Sequence, residues 1–284
     1  EESCEKVVRI PLTELHPFPN HPFHVRDDEA MQNTVDSIKE YGVLTPGIVR
    51  PREDGSYEIV AGHRRKHGSE LAGLSDMPCI VREMDDDTAT ILMVDSNIQR
   101  EDILPSERAQ AYKMKMEALK RQGARSDLTS PQLAAKFRAD DEVAKAAGVS
   151  GDTVRRFVRL TELQPELQQM VDDKKIAMTP AVELSYLKPE EQQMLLTAID
   201  SEQATPSLSQ AQRMKKLSQA GKLNDDTMLD IMMEQKKPEK CDLTFSGDVL
   251  RKYFPRSYTP QRMQETIIKL LEAWVKKRQR DQER

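Results

Sequence analysis

Residues 59–68 read IVAGHRRKHG, so three cationic side chains and two imidazoles follow a glycine at the end of an apolar run. Arg64 and Arg65 carry planar guanidinium forks whose N–H groups match phosphate oxygens. Gly62, at a strand-to-helix junction, lets backbone N–H groups approach a ligand closely, and the first turn of a helix favours an anion. The same residues would also suit a solvated basic turn, and the stretch alone does not separate the two. His63 and His67 stand at i, i+4 as in a zinc helix, yet Arg64 replaces the glutamate of HExxH. Three cationic neighbours would also repel a metal ion.

A second stretch, SNIQRED (96–102), ends a predicted helix whose inner face is Ile91, Leu92 and Val94. Asn97, Gln99 and Arg100 there either line the same pocket or cap the helix. The third is DDEVAKAAGVSGDTVRRFVRL (140–160). A short helix carries Val143, Ala144 and Ala147, Gly148-Val149 forms a tight turn, and Ser150 caps a second helix. Small Ala144 lets two helices cross closely, as a helix-turn-helix requires. Val154 and Val158 then face inward, while Thr153, Arg155, Arg156 and Arg159 face out, where they could reach base edges and phosphates. The competing interpretation is a helical hairpin with a solvated basic face.

The elements that must position these residues follow from periodicity and punctuation. VVRI (7–10) is a predicted strand, followed by the Pro- and His-rich loop HPFPNHPFH. From Asp28 to Tyr41 the apolar positions Met31, Val35, Ile38 and Tyr41 share one helical face. GIVRP and YEIVA flank EDGS as a hairpin, HRRKHGSELAG is a helix, PCIVRE a strand and DDTATILMVDSN a helix. After Pro105 the strand signals stop. Residues 106–122 form a helix with Ala109, Tyr112, Met116 and Leu119 inward, RQGARSDLTS is a polar joint, and Ser130-Pro131 opens the next helix. Helices continue to about 234, QKKPEK (235–240) is a charged linker, and CDLTFSG (241–247) reads as a strand. Thr259-Pro260 starts a long terminal helix with Met263, Ile267, Leu270, Leu271 and Trp274 on one side. There is no internal repeat. The predicted boundaries are 1–105, 106–235 and 236–284.

Composition sets the outer bounds. Hydrophobic residues make up 37% and charged residues 32% of 284, as expected of a soluble, helix-rich chain with two or three domains. No apolar run reaches the roughly 18–20 residues of a membrane span. The start, EESCEKVV, is neither a signal nor a transit peptide, and its lack of Met suggests trimming. Cys4, Cys79 and Cys241 are lone and widely spaced, which fits a reducing cytoplasm better than disulfides or a zinc site. The net charge of −5 is uneven: residues 1–105 hold 11 Lys/Arg against 21 Asp/Glu, and residues 251–284 hold 10 against 4. An acidic sum argues only against indiscriminate nucleic-acid binding by the whole surface.

The three motifs in this order resemble the ParB-type DNA-partition proteins. AGHRR is similar to their GERR phosphate-binding box, SNIQREDILPSERA to ENxQRE(D/N)LxPxExA, and VDSIKEYGVLTPGIVRP to SIxxxGvxqPixVR. The likeness covers roughly residues 7–235, with a flavour of plasmid and integrative-element members. It implies an α+β N-terminal ParB/sulfiredoxin-like domain that binds nucleotide, an all-α helix-turn-helix DNA-binding domain and a small α/β C-terminal dimerisation domain. It further implies a homodimer on a centromere-like parS site, closing with CTP and Mg²⁺ into a sliding DNA clamp. A ParA-type ATPase partner and a cytoplasmic, nucleoid- or plasmid-associated location belong to the same expectation.

Carried over by position, Gly62, His63, Arg64 and Arg65 would hold the CTP phosphates. Ser96, Asn97 and Arg100 would serve the third box, Arg26 the first, and Thr45 the place of a glutamine before Pro46. Ser150, Thr153, Arg155, Arg156 and Arg159 would meet DNA. Ser96 stands where the family has the glutamate that helps hold Mg²⁺, which leaves Asp95 as the nearest carboxylate. A hydroxyl is a far poorer ligand for a hard cation, so the resemblance implies at most weak CTP hydrolysis and assigns no catalytic residue. The terminal helix stripe suits a two-fold dimer, with Lys269, Lys276, Lys277, Arg278 and Arg280 as a basic flank, or else folds onto its own domain. The alternative function is a homodimeric helix-turn-helix repressor without a nucleotide switch. Sulfiredoxin chemistry is excluded, because Gly62 occupies the place of the required cysteine. No carboxylate set with two-metal spacing suggests a nuclease or kinase.

Overall fold

The structure is a computed structural model that describes residues 6–100, 103–126, 139–234, 250, 252–255 and 257–282, the side chains of 124–126 and 272–282 excepted. The expected helix start at Ser130-Pro131, the linker at 235–240 and the CDLTFSG strand lie outside the described residues, as do the side chains of Trp274 and the basic residues from Lys276. Glu1–Glu234 forms one compact unit and Gln235–Arg284 a second.

In the first unit, β1 (Val7–Pro11), β2 (Leu15–His16), β3 (Gly47–Pro51), β4 (Tyr57–Ala61) and β5 (Asp76–Val81) form one mixed sheet in the order β1-β5-β3-β4-β2. β3 and β4 pair antiparallel, as the EDGS turn requires, with a register shift between Ile48 and Val49. The inner strand β4 feeds a core on each face, because successive strand side chains point opposite ways. Ile59 packs with Ile10, Leu12, Leu15, Val49, Met77 and Cys79, whereas Val60 packs with Phe18, Phe23 and Met93. Burial pushes the Cys79 thiol up to about 11, so this cysteine is an inert core residue.

Helix α1 (Glu29–Tyr41) begins at Asp28, whose carboxylate accepts from the Met31 N–H at 2.8 Å. Met31, Val35 and Ile38 are buried as the period predicts, but Tyr41 is 62% exposed. The helix ends there, so the last position of the stripe has nothing to pack against. Helix α2 (His63–Leu71) follows β4, and α3 (Asp86–Asn97) follows β5. On α3 the buried face is Ala89, Met93 and Val94, while Ile91 and Leu92 are half-buried.

Helix α4 (Pro105–Ser126) runs through RQGARS, so that part of the expected joint is helical and the rest lies outside the described residues. Ala, Arg and Gln are good helix formers, and one glycine costs only about 1 kcal/mol. α4 also ties the two halves of the unit together. Its Ala111 and Tyr112 share one core with Val60 and Met93 on one side and with Val143, Ala144 and Val154 on the other. Those last residues belong to α5 (Ala139–Ala147) and α6 (Gly151–Arg159).

Helices α7 (Pro165–Asp172), α8 (Met178–Leu184), α9 (Pro189–Glu202), α10 (Leu208–Gln219) and α11 (Asp225–Met233) enclose a third core around Leu167, Leu184, Leu195 and Met214. Gln192 lies buried in it with every polar atom engaged, donating to Glu162 O and Leu187 O and accepting from Gln164 N–H. Leu195 is fully buried, so Leu195→Ala is expected to lower stability by about 2–5 kcal/mol in urea unfolding. In the second unit, α12 (Pro260–Gln282) buries Met263 but leaves Leu270 and Leu271 exposed. No helix among the described residues is long and apolar enough to cross a membrane.

Candidate functional site

Three separated segments meet around one cavity of about 170 Å³. The first is the loop His21–Val25, the second the junction Ala61–Arg65, and the third the end of α3 with Ser96, Asn97 and Arg100. Gly62, His63, Arg64, Arg65, Ser96, Asn97 and Arg100 are therefore brought together, whereas Gln99 does not line the cavity. No Asp or Glu lines the cavity, and its charged groups are three guanidiniums beside the imidazoles.

The junction explains why residue 62 is glycine. Its φ is +116°, in the region side chains avoid, and a Cβ would lie 3.2 Å from Gly47 Cα and 3.4 Å from Arg65 Nη2. The strand can thus turn straight into α2 with the helix N-terminus at the cavity wall. Arg65 is half-buried and spent on structure, donating from Nη1 to Thr45 O at 2.8 Å and Pro46 O at 2.5 Å. Desolvation lowers its pKa accordingly. Arg64 is different: the closest carboxylate oxygen recorded for it, Asp28 Oδ1, is 3.9 Å away, too far for a hydrogen bond. Lys66 pairs with Glu70 and His67 with Asp27, so that half of the basic cluster forms a paired outer face.

His63 holds the loop above it. Its Nε2 accepts from Phe18 N–H at 3.4 Å, and its ring lies 3.9 Å, centroid to centroid, from that of His21. Burial, then the His21 and Lys66 charges, pushes its pKa down to about 3, so the imidazole is neutral at physiological pH. Glu107 on α4 anchors the other end of the loop. Its buried carboxylate accepts from the His24 N–H and Nδ1, both at 3.0 Å, and from Leu104 N–H at 3.2 Å.

Three expected site residues lie elsewhere. Arg26 is drawn towards Glu107, with Nη2 3.8 Å from Oε1, and Val25 lines the cavity in its place. Thr45 gives its carbonyl to Arg65 and lines an adjoining cavity of about 400 Å³ on the far side of that guanidinium. Asp95, expected as the metal ligand, sits about 100° around α3 from Ser96 and forms an ion pair with buried Lys115. Ser96 Oγ donates to Met93 O, and no cluster of potential metal ligands occurs among the described residues. The side chains of this pocket therefore do not fit a Mg²⁺ site, since a hard cation needs several oxygen donors. His21, Phe23, His24, Val25 and Ala61 are the lining residues that sequence reasoning missed, although the doubled HPF of HPFPNHPFH was a visible signal for the first three. A larger cavity of about 480 Å³ beside Arg50, Glu58 and Asp86 is a poorer anion site, because both carboxylates already engage Arg50.

The second candidate site is the α5–α6 pair. Gly148 has φ +68° at the turn, and Ser150 Oγ accepts from Thr153 N–H at 3.1 Å, so Ser150 acts as the cap that aims α6. Val154 is fully buried and Val158 half-buried. Arg155 is exposed and forms ion pairs with Asp140 and, at 3.5 Å, Asp152. Arg156 donates to Thr179 Oγ1 at 2.9 Å. Arg159 does not face out: it donates to Ser185 Oγ at 3.2 Å and Ser185 O at 2.5 Å, and stacks 4.1 Å from the Tyr186 ring. It fastens α6 to α8. The two sites share more than a core, since Gln99 of the SNIQR segment donates to Ala146 O at the end of α5 at 3.1 Å.

Comparisons with known proteins agree with these two halves. The model of the ParB N-terminal domain matches residues 1–98, and that of the ParB HTH domain matches residues 101–220. The chain is 35% identical over 185 residues to the chromosome-partitioning protein Spo0J of Thermus thermophilus, covering 65% of this chain and 62% of that protein. It is 36% identical over 176 residues to the stage 0 sporulation protein J of Bacillus subtilis, covering 62% and 56%. It thus spans little more than half the length of these relatives. A solved structure of C-terminally truncated ParB from Caulobacter crescentus complexed to the centromeric parS site aligns with 25% identity and a TM-score of 0.46, over 74% of this chain and 98% of that one.

Proposed function

Over its first 220 residues the chain belongs to the ParB family, and on that premise we propose that it is a parS-type DNA-binding partition protein whose N-terminal pocket seats the phosphates of CTP. The observation that carries the proposal is the convergence of three distant segments on one cationic cavity at a glycine-opened helix N-terminus. The cavity volume suits a polyphosphate chain rather than a whole nucleotide, for which pockets of about 300–1,000 Å³ are usual. The base and sugar would then extend beyond it.

In this proposal α6 enters the major groove, and the pocket reports its state through the shared core of α3, α4 and α5. Two copies close around DNA as a clamp, with the exposed Leu270 and Leu271 of α12 as the apolar contact of a homodimer. A ParA-type ATPase and a cytoplasmic, DNA-associated location complete the assignment, with domains at 1–105, 106–235 and 236–284. Gly62, Arg64 and Arg100 would hold phosphate oxygens, His63 and Arg65 would shape the seat, and Asn97 would close it. Because no carboxylate lines the cavity, no hydrolytic step is assigned to the chain.

Equilibrium dialysis of labelled nucleotides checks the proposal. CTP is expected to be retained in preference to ATP, GTP and UTP, and more strongly when DNA bearing the protein's selected site is present. Retention of no nucleotide under either condition would leave only a static operator-binding dimer.

A further inference from the structure

One polar atom in the cavity wall has no partner. His21 Nδ1 lies 2.7 Å from Phe23 O, a carbonyl that can only accept, so Nδ1 carries the ring proton and Nε2 is left with a lone pair. That Nε2 is buried without a hydrogen-bond partner. The neighbouring His63 cannot play the same part, because its Nε2 already accepts from Phe18 N–H. A buried acceptor with no donor within hydrogen-bond reach is costly, and none of the described residues supplies one.

We propose that His21 is an additional phosphate ligand that takes up one proton from solution as the anion enters, its Nε2–H then donating to a phosphate oxygen. Nδ1 keeps its bond to Phe23 O, so the ring need not turn. The groups around it explain why the proton is absent beforehand. Burial comes first, and His24 and Arg100 at the cavity rim also disfavour an imidazolium, while Phe23 O and Glu107 of α4 favour it; His63 of α2, itself neutral, lies against the ring. The neutral ring is the result. A polyphosphate reverses the balance by placing several negative charges beside the ring. The sign is then fixed: a pKa raised on binding makes affinity greatest at low pH and weakens it as pH rises through the bound-state value.

This inference rests on the nucleotide assignment of the pocket, and calorimetry of the full chain separates the two. CTP is titrated at pH 7 in buffers of different ionisation enthalpy, and inorganic tripolyphosphate is titrated in parallel. Both are expected to show uptake approaching one proton. His21→Gln retains an amide that can donate to Phe23 O and is expected to abolish the uptake. It should bind CTP about tenfold more weakly than the parent at pH 6.5 and nearly equally at pH 9. CTP binding with no proton uptake by the parent, or with the same uptake by His21→Gln, overturns the inference alone. No binding of CTP or tripolyphosphate overturns the nucleotide assignment and the inference with it.

Discussion

Arg64→Ala is expected to abolish CTP-dependent crosslinking of two protomers while leaving one-site DNA binding nearly intact. Arg64 stands in the first turn of α2, its side chain 25% exposed at the cavity, and Asp28 is too distant to hold it. A charge-assisted hydrogen bond to phosphate contributes about 1.5–3 kcal/mol, so its removal should weaken CTP about 10- to 150-fold. DNA affinity should be spared, because Arg64 is not part of the core that supports α6. Gel shift without nucleotide and site-specific crosslinking with CTP measure the two quantities separately. Equal loss of both would mean that Arg64 supports the fold rather than the ligand. Arg65→Ala supplies the contrast. It frees the carbonyls of Thr45 and Pro46 and empties the space against Gly62, so it should lower the melting temperature as well as CTP binding. Lysine at that position would not restore it, since one ammonium lacks the planar fork that spans both carbonyls.

That contrast was only half visible in the sequence. Local order was legible because its causes are local. The hairpin, α1, α2 and the α5–α6 turn each follow from a period and a punctuating residue a few positions away. Residue types left open whether the Gly62–Arg65 and Ser96–Arg100 segments meet, and it was the resemblance that put them at one cavity. What escaped were partners fixed over long range. The loop around His21 and His24 has no period, and it is placed by Glu107, which lies 83 residues from His24. Adjacent Asp95 and Ser96 look interchangeable as ligands in a string of letters. On a helix they are about 100° apart, and only one faces the cavity. Arg159 has the right spacing to face out, yet Ser185 and Tyr186 of a later segment capture it. Tyr41 continues the stripe but is the last residue of α1, where it is left exposed.

The remaining outward arginines carry the second large effect. Replacing Arg155 and Arg156 together with alanine is expected to reduce affinity for the selected DNA site by about 100-fold, roughly tenfold for each side chain. CTP binding in the absence of DNA should be unchanged. Neither guanidinium is idle in the free protein: Arg155 pairs with Asp140 and Asp152, and Arg156 donates to Thr179. These contacts are at the surface, where exposed ion pairs stabilise by little, so DNA can replace them at small cost. The double variant should therefore fold with an unaltered melting temperature, whereas Arg159→Ala should melt earlier because it unfastens α6 from α8. The type of contact can be read from the loss itself. A phosphate contact lowers affinity for all sequences alike and reduces the salt dependence by about one ion per arginine, whereas a base contact relaxes preference at one position. If the double variant instead bound its site at parental strength, the recognition surface would have to lie off α6. The link from Gln99 to α5 would then no longer connect the pocket to DNA.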